Sequence, residues 1–311
     1  MNKVIKLFTI SLLFIFIYII FKYNYILNKS VIDAVNLWIT KVVPSLFIMF
    51  ILNDIIINTN LLNFILKPFY PLFNKTFVTN GASFQAFALS LFSGSPSSAF
   101  IIKEMLNNHF IDIDSANKLI CFTYFSNPLF LYNILLTTFN TTITLKIIVI
   151  HYISNIIIGF INRKRTITKN IKINIEDNAP RNIIMIIPSS IKKSLNTLFM
   201  ILGTITFYMI ITNFLVHIFK MPLIFEIIIK GVFEITQSLN VLNDLNCLSI
   251  IKETIAISII SFGGLSIHSQ VASLLFDTKI SYINFFKSRV LHVFISITIY
   301  LIFYLIFPYI Y

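Results

Sequence analysis

Charge is what this chain lacks most: only 12% of its 311 residues are Asp, Glu, Lys or Arg. A soluble domain uses roughly 25% charged residues to cover its surface. With 57% hydrophobic residues and a mean hydropathy of +0.87, the solvent for most of the chain is lipid. One membrane domain is expected, with no soluble domain attached. Cysteine is also scarce. Cys121 and Cys247 lie in or beside apolar stretches, with no CxxC or other metal-like spacing. Enzyme signatures are missing too: there is no HExxH, GxSxG or P-loop. Ser189 with Lys192, and Ser190 with Lys193, match S-x-x-K by spacing but have no partner motifs. No catalytic residue, metal site or cofactor is expected.

The basic excess, +12, falls between apolar runs, as the positive-inside rule requires. It speaks for topology, and nucleic acid is not an expected partner. Leu7 to Phe21 follows Lys3 and Lys6 and is read as a retained first helix, since Lys22-Tyr23-Asn24-Tyr25, not a small-residue cleavage site, comes next. Trp38 to Ile57, Ile143 to Ile161, Leu195 to Phe219 and Val290 to Ile310 read as spanning helices. Leu61 to Phe73, with Pro68 and Pro71, is too short to span and reads as interfacial. Leu223 to Leu245 reads as one helix. Asn162 to Arg181 is the one long polar stretch, rich in Lys and Arg, and marks a cytoplasmic loop. The expected organisation is an N-terminal helix over 1–30, a first repeat over 31–161, the basic loop over 162–194 and a second repeat over 195–311.

Apolar segments interrupted by Gly, Pro and Ser carry the functional signal. Ala82 to Met105 has Ser93-Gly94-Ser95-Pro96-Ser97-Ser98 at its centre, Leu119 to Phe139 is broken by Ser126-Asn127-Pro128, and Ser249 to Phe276 by Phe262-Gly263-Gly264-Leu265-Ser266. Each arm is too short to cross a bilayer, and lipid cannot hydrogen-bond a broken backbone. The expected solution is a re-entrant hairpin in each half, at 82–105 and 249–276; a kinked spanning helix is the competing reading. Phe92–Ser97 can be laid over Ser261–Ser266, with the elements around each in matching order. Lys279, Lys287 and Arg289 place their loop with the basic side, which speaks against simple inversion of the second half.

Chemistry at the breaks points to an anion. In Ser95-Pro96 and Asn127-Pro128 a capping residue precedes a proline that starts a helix. A half-helix N-terminus presents free N–H groups and partial positive charge, and discontinuous transporter helices use such ends to hold anions. The candidate substrate-binding residues are Ser93, Gly94, Ser95, Pro96, Ser97, Ser126, Asn127, Pro128, Phe262, Gly263, Gly264, Ser266 and Gln270. Phe125 or Phe262 could stack on an aromatic ligand. Glu226, Lys230 and Glu234 share one helical face, continued by Gln237 and Ser238. They form either a polar stripe lining a cavity or the wet side of an interfacial helix. Glu234 and His268, close to the breaks, are the candidates for ion or proton coupling. His109, His151, His217 and His292 have no such context.

Several of these stretches also resemble a known family. LWITKVVPSLF from Leu37 to Phe47, FSGSPS from Phe92 to Ser97, GVFEIT from Gly231 to Thr236 and, most specifically, SFGGLSIHSQ from Ser261 to Gln270 are similar to the YlbJ-type sporulation integral membrane proteins. The likeness runs from about Leu37 to the end. The chain departs from the family pattern at Ser98, at Phe100 and around Ser126-Asn127-Pro128. The resemblance implies an all-α polytopic fold with a gate domain shared with spore maturation proteins and related to nucleoside transporters. It implies movement of dipicolinic acid, a small aromatic dianion, across the outer forespore membrane of a spore-forming bacterium. The expected partners are the bilayer and the anion, with further copies of the chain or other sporulation membrane proteins left open. Rival readings are a non-transporting scaffold that recruits proteins through the basic loop, a nucleoside-type transporter, and an intramembrane hydrolase using a tip serine with His268.

Overall fold

The computed structural model describes residues 20–59, 62–163 and 183–306, with isolated positions between 10 and 18. Most of Leu7 to Phe21, and the basic segment beyond Arg163, lie outside the described residues. Every regular element among the described residues is helical. Five helices are long and apolar enough to cross a membrane: Asn24–Thr59, Thr141–Asn162, Ile184–Phe219, Ser249–Leu275 and Tyr282–Ile306. The protein is an all-helical, multi-pass integral membrane protein.

The first long helix, α1, is Asn24–Thr59. Its middle turn, Trp38–Val42, is a π-turn. Pro44 explains it: proline has no N–H for the carbonyl one turn back, and its ring crowds that carbonyl, so a widened turn absorbs the mismatch. Ser45 Oγ donates to the Lys41 carbonyl at 2.7 Å and so occupies one acceptor there. A short helix, α2 (Tyr70–Phe77), follows. It packs Phe73 against Phe84 and Phe87.

Next come α3 (Ser83–Ser93) and α4 (Ser97–Asn107), which lie against each other as a hairpin. Then α5 (Ile113–Phe122) and α6 (Pro128–Leu135) are two halves of one broken helix, and α7 (Thr141–Asn162) is a full-length helix. The order then repeats. The long helix α8 (Ile183–Phe219) leads to a second hairpin, α9 (Leu223–Phe233) and α10 (Ile235–Leu242). Ser238 Oγ donates across that hairpin to the Ile227 carbonyl at 2.7 Å. A second broken helix, α11 (Ser249–Phe262) and α12 (Gly264–Leu275), precedes the long α13 (Tyr282–Ile306).

Two expectations are corrected here. Leu223 to Leu245 is not one helix: Glu234 sits at φ −148°, ψ 115°, and ends it. Ser249 to Phe276 is not a packed hairpin. Its arms part at Gly263 and Gly264, with φ of +90° and +65°, so that α11 lies on α13 while α12 lies on α8, α9 and α4. Gly263 and Gly264 are needed there, because positive φ is costly for other residues. The turn at Gly94–Pro96 therefore corresponds in order to Glu234, and Ser126–Pro128 to Gly263-Gly264. Phe92–Ser97 and Ser261–Ser266 are different kinds of break.

Polar contacts at the helix ends separate two faces. On one, Lys193 Nζ pairs with Asp54 at 3.0 Å and Glu104 at 2.9 Å, Lys103 with Asp277 at 2.6 Å, and the Ser281 N–H donates to Asn117 at 2.7 Å. These gather the ends of α1, α4 and α12 with the starts of α5, α8 and α13. On the other face Lys146 pairs with Glu253 at 2.5 Å, and Thr138 Oγ1 donates to the Leu239 carbonyl at 3.3 Å. These gather the starts of α7 and α11 with the far ends of α6 and α10. The first hairpin opens on one face and the second on the other, so the halves run in opposite directions. The loop holding Lys279 is on the same face as the end of α7, so the basic side and inversion agree.

Candidate functional site

The breaks are held open by side chains rather than left bare, as a backbone in an apolar medium requires. Between α5 and α6 the Ser126 N–H donates to His151 Nε2 at 3.1 Å. Tyr152 Oη donates to the Ser126 carbonyl at 3.2 Å, and Asn155 Nδ2 to the Tyr124 carbonyl at 2.5 Å. The Ser95 N–H reaches the Phe125 carbonyl at 2.6 Å. The first hairpin turn thus leans on the first broken helix. Gly94 allows this approach: a Cβ there would lie 2.3 Å from the Asn127 nitrogen. At the other break a Cβ on Gly263 would lie 2.3 Å from Tyr124 Oη.

The helix starts near these breaks are capped unequally. Asn127 Oδ1 accepts from the Leu129 and Phe130 N–H groups at 3.0 and 3.1 Å, as Asn127-Pro128 predicts. Ser95 does not cap. Helix α4 begins at Ser97 without a side-chain cap, and the buried Ser95 and Ser97 hydroxyls make no hydrogen bond among the described residues. The start of α12 has no side-chain cap either. Helix α10 is capped by Glu234, whose Oε2 accepts from the Thr236 and Gln237 N–H groups at 2.9 and 3.1 Å and from the Thr236 hydroxyl. The anion expected at a half-helix N-terminus is, at α10, the protein's own carboxylate.

Three of the four breaks line one cavity of about 60 Å³, and the first turns of α12, just past the fourth, complete it. Ser95 and Pro96 line it from the first hairpin, Ser126 and Asn127 from the first broken helix, Glu234 and Thr236 from the second hairpin, and Ser266 and Gln270 from α12. Gln270 Nε2 is oriented by Thr204 Oγ1 at 2.9 Å and Ser266 Oγ at 3.2 Å. Apolar side chains of α1 and α8, including Leu46 and Ile201, close the other side.

The remaining candidate residues stand behind this lining. Ser93 Oγ donates to the Leu89 carbonyl at 2.7 Å; Gly94, Ser97, Pro128, Gly263 and Gly264 shape the backbone without lining the cavity. Phe262 faces a groove of Gly231, Ser258 and Val290 on the outside of the bundle. Phe125 is fully buried against Phe87 and Tyr152. Phe130 is the aromatic at the cavity wall. His268 does not line the cavity. Its Nε2 donates to the Phe262 carbonyl at 3.1 Å, since a carbonyl only accepts, which leaves Nδ1 to accept from Tyr282 Oη at 2.9 Å. It pins the α11–α12 bend. The stripe of Glu226, Lys230 and Glu234 is likewise divided: Lys230 pairs with Glu226 at 2.6 Å on α9, and Glu234 belongs to the cavity.

Sequence reasoning missed a buried cluster behind the first break. Arg289, two turns inside α13, is wholly buried. It donates to Asn155 at 3.2 Å, to the Cys121 carbonyl at 2.6 Å and to His292 Nδ1 at 2.9 Å, with its guanidinium 4.4 Å from the Tyr124 ring centre. His292 Nε2 in turn donates to the His151 carbonyl at 3.2 Å, and His151 holds Ser126. No carboxylate pairs with Arg289 among the described residues. The available signal was Arg289 with His292 at i, i+3 beside an apolar run. Starting the last helix at Val290 hid it.

Comparison with known proteins adds to this geometry. No family model matches the chain, and no solved structure matches it. The chain is 24% identical over 299 residues to the sporulation integral membrane protein YlbJ of Bacillus subtilis (strain 168), covering 83% of this chain and 72% of that protein. The chain is similar to YlbJ over most of its length. That relative's name places YlbJ in a membrane and in sporulation. The helical, multi-pass architecture described above agrees with the membrane part of that name.

Proposed function

We propose that this chain is a sporulation membrane transporter for a small organic anion, by resemblance dipicolinate, and that it acts in the outer forespore membrane. The observation that carries the reading is the convergence of three backbone breaks and the start of α12, two elements from each half, on one small cavity. Re-entrant hairpins, with their turns near mid-membrane, are part of the same proposal. Broken helices survive in lipid only where protein or water covers them, and transporters place such breaks at substrate sites.

Charge supports an anion that travels with a compensating ion. Arg289 puts a guanidinium with no carboxylate partner among the described residues behind the first break, and the uncapped starts of α4 and α12 add partial positive charge. Glu234 opposes them. Two like unit charges 4 Å apart repel by about 4 kcal/mol at the effective dielectric of a protein site. An anion entering the cavity is therefore favoured once a proton or cation neutralises Glu234, which makes that residue the coupling group. A cavity of about 60 Å³ is far below the volume of a small-molecule site, so loading an aromatic dianion requires the halves to part.

The test is uptake of labelled dipicolinate into proteoliposomes with and without a pH gradient. Uptake that rises with the gradient is expected. No uptake under any gradient, from protein that melts cooperatively, would overturn the proposal in favour of the scaffold reading.

A further inference from the structure

A second cavity, of about 290 Å³, adjoins the central one. It lies between α1, α6 and α10, and its lining includes Asn133, Thr137 and Asn240 near the far ends of α6 and α10. That is the face opposite the end of α7 and the start of α8. Lys41, within the π-turn, lines it and makes no ion pair among the described residues. No acidic residue lines it. Its floor is apolar, with Leu37, Pro44 and Ile134. Ser45 and Phe130 line both cavities and so form the partition between them.

Each feature selects for the same ligand. A lone ammonium on a cavity otherwise lined by neutral amides, hydroxyls and apolar groups favours a carboxylate. The apolar floor suits the body of an aromatic or short hydrocarbon acid, and the volume is close to the lower end of small-molecule sites. An ionisable residue on a spanning helix is costly unless it faces a polar cavity or partner, and π-turns recur at functional sites. We infer that this cavity is an outer vestibule, in which Lys41 holds a small carboxylate anion on the non-cytoplasmic side of the Ser45–Phe130 partition. The inference rests on the transport reading for its purpose, but its binding chemistry can be tested apart from it.

Trp38 is the chain's one tryptophan and lies in the same π-turn, which provides an internal reporter. The full chain is placed in nanodiscs of zwitterionic lipid. Dipicolinate binding is followed by Trp38 emission and by equilibrium dialysis of the labelled compound, with benzyl alcohol as the uncharged control. Saturable binding of dipicolinate and none of benzyl alcohol is expected. Lys41→Gln should weaken binding about tenfold or more, and Lys41→Arg should restore most of it. Equal affinity in Lys41→Gln overturns the vestibule, as does the absence of saturable dialysis binding. A Lys41-dependent emission change that follows added anionic lipid instead of dipicolinate also overturns it and assigns Lys41 to the headgroups. The two proposals fail separately. Lys41-dependent binding without uptake into proteoliposomes keeps the vestibule and removes transport. Uptake and binding indifferent to Lys41→Gln do the reverse.

Discussion

Glu234 holds two roles that substitution can separate, one as a cap and one as a charge. Its Oε2 accepts two backbone N–H groups and one hydroxyl, all buried. Glu234→Ala leaves those donors without a partner. Each buried unsatisfied group costs about 1–3 kcal/mol, and relief from burying a carboxylate offsets part of the sum. A net loss of about 2–4 kcal/mol is expected, which lowers the melting temperature of a chain this long by roughly 3–6 °C. Glu234→Gln keeps an acceptor oxygen in the same place and should melt within a few degrees of the unmodified protein. Thermal unfolding in detergent measures both. The charge is read in proteoliposomes: Glu234→Gln should retain dipicolinate uptake while losing its response to a pH gradient. If Glu234→Ala melts like the parent, the cap argument is wrong. If Glu234→Gln keeps the full gradient response, Glu234 is not the coupling group.

Other substitutions probe the frame around it. Gly94→Ala places a methyl 2.3 Å from the Asn127 nitrogen at a φ of +74° and should cost about 3 kcal/mol or more in the same unfolding assay; no change would mean that the turn does not press on α6. Ser95→Asp should cut uptake more than tenfold while Ser95→Asn is tolerated, and equal uptake by the two would remove the anion from this cavity. Arg289→Met fills similar space but strips donors from Asn155, His292 and the Cys121 carbonyl, so a loss of about 2–4 kcal/mol is expected. A variant as stable as the parent would show the cluster to be dispensable.

Much of the architecture was legible because lipid makes composition informative: a long apolar run without charge has few alternatives to a spanning helix. The positions of three of the four breaks were legible for a similar reason, since Gly, Pro and Ser are poor helix formers. Their geometry was not. Gly94-Ser95-Pro96 folds back and Gly263-Gly264 bends, and the difference lies in what packs on each arm, which local sequence does not carry. Glu234 gave little warning. Glutamate is not a favoured N-cap, and between Phe233 and Ile235 it reads as one polar position on a continuing helix. Arg289 was misread because a basic residue at the edge of an apolar run usually marks the end of the membrane. Here it is covered on every side by α5, α7 and its own helix.

The opposed directions of the two halves have a consequence for energy. A pair of equal, oppositely oriented halves has no reason to prefer facing one side of the membrane over the other. In this chain the pairing is unequal: one hairpin turn is the neutral Gly94-Ser95-Pro96 and its counterpart is Glu234. The two ways of facing then differ in energy by an amount that depends on whether that single carboxylate is neutralised. Under the transport reading, neutralising that carboxylate shifts which way the protein faces, while the gradients themselves fix the direction of net movement.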